Sequence, residues 1–204
     1  MSSEQEPKEL IDRREAMKRV SFLLGGVALV GGSGLLAACG RDRPASGTAV
    51  GPFSLSDIQL LDEVADTILP ETKTPGAKAA RVGPFMALMV TDSYEPKDQK
   101  IFRAGIEQLD QASQKANGKS FIASTPPQRL ALLESLDREQ KSYMDAKKPD
   151  EPSHYFRMMK ELTMLGYFTS EIGYTKAMRY AESPGRFDPC TPYKPGETSW
   201  ASHA

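Results

Sequence analysis

The sequence predicts an all-α fold: a small helical domain of five to six helices with an extended Pro/Gly-rich C-terminal tail. Two observations carry this prediction. Apolar residues recur at spacings of three and four, and no segment shows the strict alternation of a strand. After residue 183, closely spaced prolines and glycines exclude a further helix. We therefore expect a signal segment (1–38), a linker (39–52), the helical domain (53–182) and the tail (183–204).

The composition narrows the classes of function. The 204 residues carry 26 Lys and Arg against 27 Asp and Glu, a net charge of −1 that disfavours binding to nucleic acid through bulk charge. Two cysteines exclude a disulfide-dense scaffold, and two histidines leave little for a metal site built from imidazole. The composition therefore points away from a metalloenzyme.

The N-terminus has the pattern of an export signal. Residues 20–38 are uncharged but rich in glycine, and a basic segment precedes them, as in a secretory signal. Arg13 and Arg14 resemble the twin-arginine signal, which exports folded proteins, although Ala16 stands where an aromatic residue or leucine is usual. We expect export by the twin-arginine route.

The signal ends in a motif similar to a bacterial lipobox. Residues 36–39 read Leu-Ala-Ala-Cys. In that resemblance Cys39 is acylated and becomes the new N-terminus, so residues 39–52 form a lipidated linker and the domain is a membrane-anchored lipoprotein on the periplasmic side. The alternative is a cysteine that happens to end an ordinary membrane anchor. Either way the domain is tethered outside the cytoplasm.

The helices are predicted from their start and stop signals. Ser56 and Gln59 are predicted to form a capping box for the first helix, which Pro70 ends before a turn over 71–76. A second helix is expected over 77–92, with a kink or a helix start near Gly83 because of Pro84.

Three further helices follow. One runs over 96–116 and stops at Asn117 and Gly118, and the next starts at 125–128, where threonine precedes two prolines and a glutamine. The last covers 154–180 and is opened by Ser153. Gly166 and Gly173 are expected to break it or to let another backbone approach closely.

The residues with chemical potential carry no catalytic motif. The sequence has no phosphate loop, zinc motif, nucleophile elbow or haem-attachment motif. His154 is expected to cap or flank a helix, and Cys190 to be a free thiol, a disulfide partner or a small buried residue. An enzyme with Glu63, Asp66 or Glu171 as a buried acid or base is the less favoured reading, since helical carboxylates are commonly solvated.

Aromatic residues mark a candidate interface, because tyrosine and tryptophan favour buried protein contacts. Most rings of the last helix have the spacing of core residues, and the alternative is that all of them pack on their own domain. The predicted partner-binding residues are Tyr167, Phe168, Phe187, Tyr193 and Trp200.

Residues 61–70, 74–80, 162–171 and 184–193 resemble the gluconate 2-dehydrogenase subunit 3 family, the small subunit of that enzyme. The resemblance implies a non-catalytic subunit without a cofactor of its own. Its partner would be an FAD-containing dehydrogenase subunit of the glucose-methanol-choline type, which the twin-arginine signal carries across the membrane. A cytochrome c subunit with haem c is often present in that family, and the lipobox leaves open whether one exists here.

We therefore expect an accessory subunit of a periplasmic, membrane-attached sugar, polyol or gluconate dehydrogenase, which assists export and assembly of the flavoprotein. The alternative is a membrane-tethered lipoprotein with a structural or binding role unrelated to redox chemistry. A neighbouring reading frame for a flavoprotein without its own export signal would favour the first.

Overall fold

The computed structural model describes residues 49–183, 185, 190, 192 and 194–201, all within one compact unit, Pro44–Ala204. Its helices are α1 (Leu55–Ile68), α2 (Val82–Ser93), α3 (Pro96–Asn117), α4 (Pro126–Ala146), α5 (Tyr155–Phe168) and a π-helix (Gly173–Ala177). Besides these, the described residues contain only two isolated bridges and no strand. The predicted all-α class and the number of helices are confirmed.

The start of α1 differs from the prediction. Ser54 is the N-cap: its backbone N–H donates to Asp57 Oδ2 at 2.8 Å, and Asp57 N–H donates to Ser54 Oγ at 3.2 Å. The prediction of a capping box at Ser56 and Gln59 was therefore wrong, because the box lies two residues earlier in the chain. A carboxylate in the first turn interacts favourably with the positive end of the helix, which a glutamine does not. Phe53, directly before the cap, is buried and fixes this register.

The predicted start of α2, the end of α3 and the start of α4 are confirmed. Helix α2 begins at Val82, so Pro84 lies in the first turn, where its missing N–H costs nothing. At the end of α3, Gly118 adopts φ 67° and donates to Gln114 O at 2.9 Å, a left-handed cap that favours glycine. Helix α4 starts with Thr125 N–H donating to Gln128 Oε1 at 3.0 Å.

Helix α5 contacts each of the other four α-helices, as does α1. His154 rather than Ser153 is its N-cap, which confirms the capping role expected of the histidine. The helix ends at Phe168, well before residue 180. Gly166 lies inside it against the ring of Phe85, where an added Cβ would come within 2.5 Å of that ring. The close approach expected at Gly166 is therefore made by a side chain and not by another backbone.

The core is apolar and draws on every α-helix. Its largest fully buried side chains include Leu61, Val64, Met86, Val90, Phe102, Leu109, Phe156 and Met159, with Phe53 and Phe121 from the connecting segments. None of the described helices is both long enough and apolar enough to cross a bilayer. The uncharged stretch 20–38 lies outside the described residues.

Candidate partner-binding surface

The carboxylate of Glu63, a candidate acid or base, is held by two cations. Lys78 Nζ contacts its Oε1 and Arg129 Nη1 contacts its Oε2, so the residue joins α1 to the following loop and to α4. Partial burial acts to raise the pKa of Glu63, but the hydrogen bonds and charges of Lys78 and Arg129 outweigh burial and lower that pKa. Glu63 is therefore an ionised structural group, a state unsuited to a general acid at neutral pH.

Arg129 is itself fully engaged. Its Nε donates to Phe121 O at 3.0 Å, Nη2 donates to Ile122 O, and the guanidinium carbon lies 5.7 Å from the centre of the Phe121 ring. Arg129 thus joins the segment before α4 to α1 through Glu63. The partners are 66 positions apart in sequence, so no local motif indicated them.

Asp62 caps α2 from the neighbouring helix. Its Oδ1 accepts from Gly83 N–H at 2.9 Å, in the first turn of α2, where the N-cap residue Arg81 makes no side-chain cap. Burial raises the pKa of Asp62, and the bond from Gly83 opposes that rise only in part. Asp62 was not among the predicted site residues. The available signal was a helix start without a serine, threonine, aspartate or asparagine at its cap.

The other two acid/base candidates lie at different places in the fold. Asp66 lies beside the turn after α1, where a Cβ added at Gly76 would come within 2.9 Å of its Oδ1. Glu171 is exposed between α5 and the π-helix. Among the described residues, no cluster of three or more His, Cys, Asp or Glu is placed to hold a metal ion.

Tyr167 and Phe168, both predicted to bind a partner, occupy different environments. Tyr167 is only 4% exposed, and its hydroxyl donates to Pro75 O at 2.7 Å. It therefore ties α5 to the loop before α2. Phe168 is half-buried with its ring edge-on to Tyr167 at 5.1 Å between centroids. Of the two, Phe168 keeps more of its ring at the surface.

Described residues of the C-terminal tail contact the domain at Arg179. Arg179 N–H donates to Ser199 O at 2.9 Å, and Ala201 N–H donates to Arg179 O at 2.8 Å. The Arg179 guanidinium lies over the Trp200 ring, 4.6 Å from its centre, and Nη2 is 3.7 Å from Glu197 Oε2. We call Arg179 with residues 197–201 the tail clasp.

Two large aromatic side chains are exposed at this end of the domain. Trp200 is 53% exposed and Tyr180 is 46% exposed. Tyr180 also contacts the ring of Tyr174 edge-on, with 5.9 Å between centroids. Tyr180 was not among the predicted partner-binding residues. Trp200 thus has one ring face covered by Arg179 and much of its surface open to solvent.

Five predicted residues lie outside the described part of the chain: Arg13, Arg14, Cys39, Phe187 and Tyr193. Cys190 is described, and it is exposed with a free thiol. The structure therefore places Tyr167, Phe168 and Trp200 only, the first two side by side and the third in the tail clasp.

One comparison with known proteins gives a match. The family model described as gluconate 2-dehydrogenase subunit 3 matches residues 56–185, more than half of the chain. This range covers all five α-helices, apart from the first residue of α1, and the π-helix, and it ends before Trp200. No curated protein and no solved structure gives a significant match.

Proposed function

Because the chain belongs to the gluconate 2-dehydrogenase subunit 3 family, we propose that it is the non-catalytic accessory subunit of a periplasmic, membrane-attached, FAD-dependent dehydrogenase. Its family consists of subunits of a dehydrogenase complex, which implies partner subunits. The proposed substrate class is a sugar, a polyol or gluconate. The observation that carries the proposal is the family match over the helical domain.

The contacts of the carboxylates support a non-catalytic role. Glu63 is neutralised by Lys78 and Arg129, and Asp62 caps α2. Both are committed to holding the helices together, and neither is free to exchange a proton with a substrate. In the proposed complex the chemistry therefore belongs to a partner of the glucose-methanol-choline type, which carries the FAD. A cytochrome c subunit with haem c is proposed as the acceptor of its electrons.

The proposed partner surface is the exposed end of the domain. We propose that Phe168, Tyr180 and the tail clasp contribute to it, since exposed aromatic rings are the favoured anchors of protein interfaces. Phe187 and Tyr193 belong to the same proposal by their place in the tail. Tyr167 supports the surface from below because its ring is buried and its hydroxyl is bonded to Pro75.

Affinity purification from detergent-solubilised membranes tests the complex. We expect the tagged full-length chain to retain a flavoprotein, identified by mass spectrometry and by the absorbance of bound FAD. Truncation after Tyr180 should leave a folded helical domain that no longer retains this partner. Leu88→Ser, at an exposed position on α2, is the matched control and should keep it. Recovery of the chain without any dehydrogenase would contradict the proposal.

Export and anchoring are tested separately. We propose that Arg13 and Arg14 address the chain and its folded flavoprotein to the twin-arginine route. Replacing both by lysine should leave both proteins in the cytoplasm, and normal export of the flavoprotein would show that it does not depend on this signal.

We propose further that Cys39 is lipidated. Cys39→Ser should then abolish fatty-acid labelling and release the chain from the membrane.

A further inference from the structure

His154 holds the first turn of α5 through its imidazole ring. Its Nδ1 accepts the backbone N–H of Phe156 at 3.2 Å. A ring nitrogen that accepts a hydrogen bond carries no proton, so the neutral ring has its proton on Nε2. That nitrogen lies 3.6 Å from Glu139 Oε1 on α4. The cap therefore depends on the protonation state of His154.

The structure places three titratable groups against this imidazole. The ring of Tyr155 stacks on it at 4.6 Å, and the ring of Tyr143 lies 5.7 Å away, both between centroids. Burial raises the pKa of Tyr155 to about 12, so this phenol stays neutral at physiological pH. The Tyr143 hydroxyl donates to Pro152 O at 3.0 Å. Of these three groups, Glu139 is the only one with a carboxylate.

Protonation of His154 removes the cap. A second proton, on Nδ1, turns the acceptor into a donor that faces the Phe156 N–H, and the bond is lost. The new positive charge also lies at the positive end of α5, where a cation is unfavourable. Glu139 opposes these effects only weakly, because its side chain is 64% exposed and 3.6 Å away. The net effect of acid is to weaken the start of α5.

The first turn of α5 is part of the core. Phe156 is fully buried, and Tyr155 packs so closely on α3 that a Cβ added at Gly105 would lie 2.4 Å from Tyr155 Cβ. Since α5 contacts every other α-helix, a loosened first turn lowers the stability of the domain. We infer that His154 is a proton-sensitive N-cap, whose protonation loosens the start of α5. This inference does not depend on the proposed function.

The test uses the full-length chain in detergent and the variant His154→Asn. Asparagine is a good N-cap acceptor that does not titrate, so the variant measures the acid sensitivity of all other groups. Between pH 8 and pH 5, we expect the unfolding equilibrium constant of the natural chain to rise about fivefold more than that of His154→Asn. The inference would be overturned if the unfolding equilibrium constant of the natural chain, divided by that of His154→Asn, stayed constant or fell between pH 8 and pH 5.

Two further measurements keep the test decisive. Hydrogen exchange of the Phe156 amide, corrected for its intrinsic pH dependence, should become faster in acid by a larger factor than that of the buried Thr163 in the same helix. Unchanged protection of Phe156 would overturn the inference without any variant. Glu139→Gln removes the opposing carboxylate, so its acid sensitivity should equal or exceed that of the natural chain. A smaller sensitivity would show that the sign is wrong.

Discussion

Two arginines attach distant segments to the domain, and they do so in different ways. Arg129 is mostly buried and uses its guanidinium on Glu63, on two backbone carbonyls and on the Phe121 ring. Arg179 is more exposed, its carboxylate partner Glu197 is 3.7 Å away, and its Nε is buried without a partner among the described residues. Arg129 is a buried cross-link within the domain, whereas the side chain of Arg179 makes a contact at the surface.

The difference follows from solvation. A guanidinium that is removed from water must recover its lost hydrogen bonds inside the protein, and Arg129 does so. An exposed ion pair gains little because water already solvates both charges. The helices around Glu63 are therefore fixed relative to one another. The side-chain contacts of the tail clasp are therefore weaker than those around Glu63.

The largest expected effect is at Arg129. Arg129→Met keeps the aliphatic stem but removes the side-chain donor to the Ile122 carbonyl, leaves the Phe121 carbonyl with Ser124 N–H alone, and leaves Glu63 with Lys78 alone. We expect a loss of about 2–4 kcal/mol in the free energy of unfolding, measured by urea denaturation. Arg138→Met, at an exposed position of the same helix, should change it by about 0.5 kcal/mol or less. Equal losses in both variants would remove the contrast between buried and exposed arginines.

A smaller effect is expected at Asp62. Asp62→Ala leaves Gly83 N–H without its acceptor and should cost about 1–2 kcal/mol. Asp62→Asn keeps an oxygen at that position and should cost less than Asp62→Ala. Urea denaturation of both variants at neutral pH measures this difference, and an equal cost would show that the cap contributes nothing.

The pH dependence of Asp62 has a definite sign. Its pKa in the folded state is raised above the ordinary value of 3.8, so the folded state binds more protons than the unfolded state just above that pH. Stability from this group is therefore lost as the pH rises through the folded pKa. The free energy of unfolding of Asp62→Asn, minus that of the natural chain, should therefore rise as the pH increases from 4 to 7. A constant difference would contradict this.

Local signals predicted the limits of the helices well where neighbouring residues determine them. The start at Thr125 and Gln128 and the stop at Gly118 depend on bonds between residues three or four apart. The predicted box of Ser56 and Gln59 failed because Ser54 and Asp57 offered a competing box with a better charge at the same helix end. Choosing between two adequate local patterns required the buried position of Phe53.

The contacts of the site were beyond local signals. Asp62 meets Gly83 at a separation of 21 residues, and Glu63 meets Arg129 at 66, so tertiary packing alone brings them together. The same limit applies to the aromatic residues. Tyr167 and Trp200 both appeared suited to an interface, yet one is buried and the other is exposed. Residue type predicts that an aromatic ring will be covered. Only the fold decides whether its own domain covers it or leaves it exposed to a partner.

The smallest effect on stability, and the most informative about the tail, is expected for Arg179→Ala. The two backbone bonds to Ser199 and Ala201 remain possible, but the ring contact with Trp200 and the ion pair with Glu197 are lost. We expect a loss of about 1 kcal/mol or less in the free energy of unfolding. Trp200 is the only tryptophan, so its fluorescence reports on the clasp directly. Its quenching by acrylamide should increase.

Lys176→Ala, at an exposed position of the π-helix, is the matched control and should leave the quenching unchanged. If Arg179→Ala instead cost as much as Arg129→Met, the tail would be part of the folded core, and the contrast between the two arginines would fail. If quenching did not change, the backbone bonds alone would hold Trp200 in place. Arg179 would then contribute its backbone to the clasp and its side chain would be available to a partner.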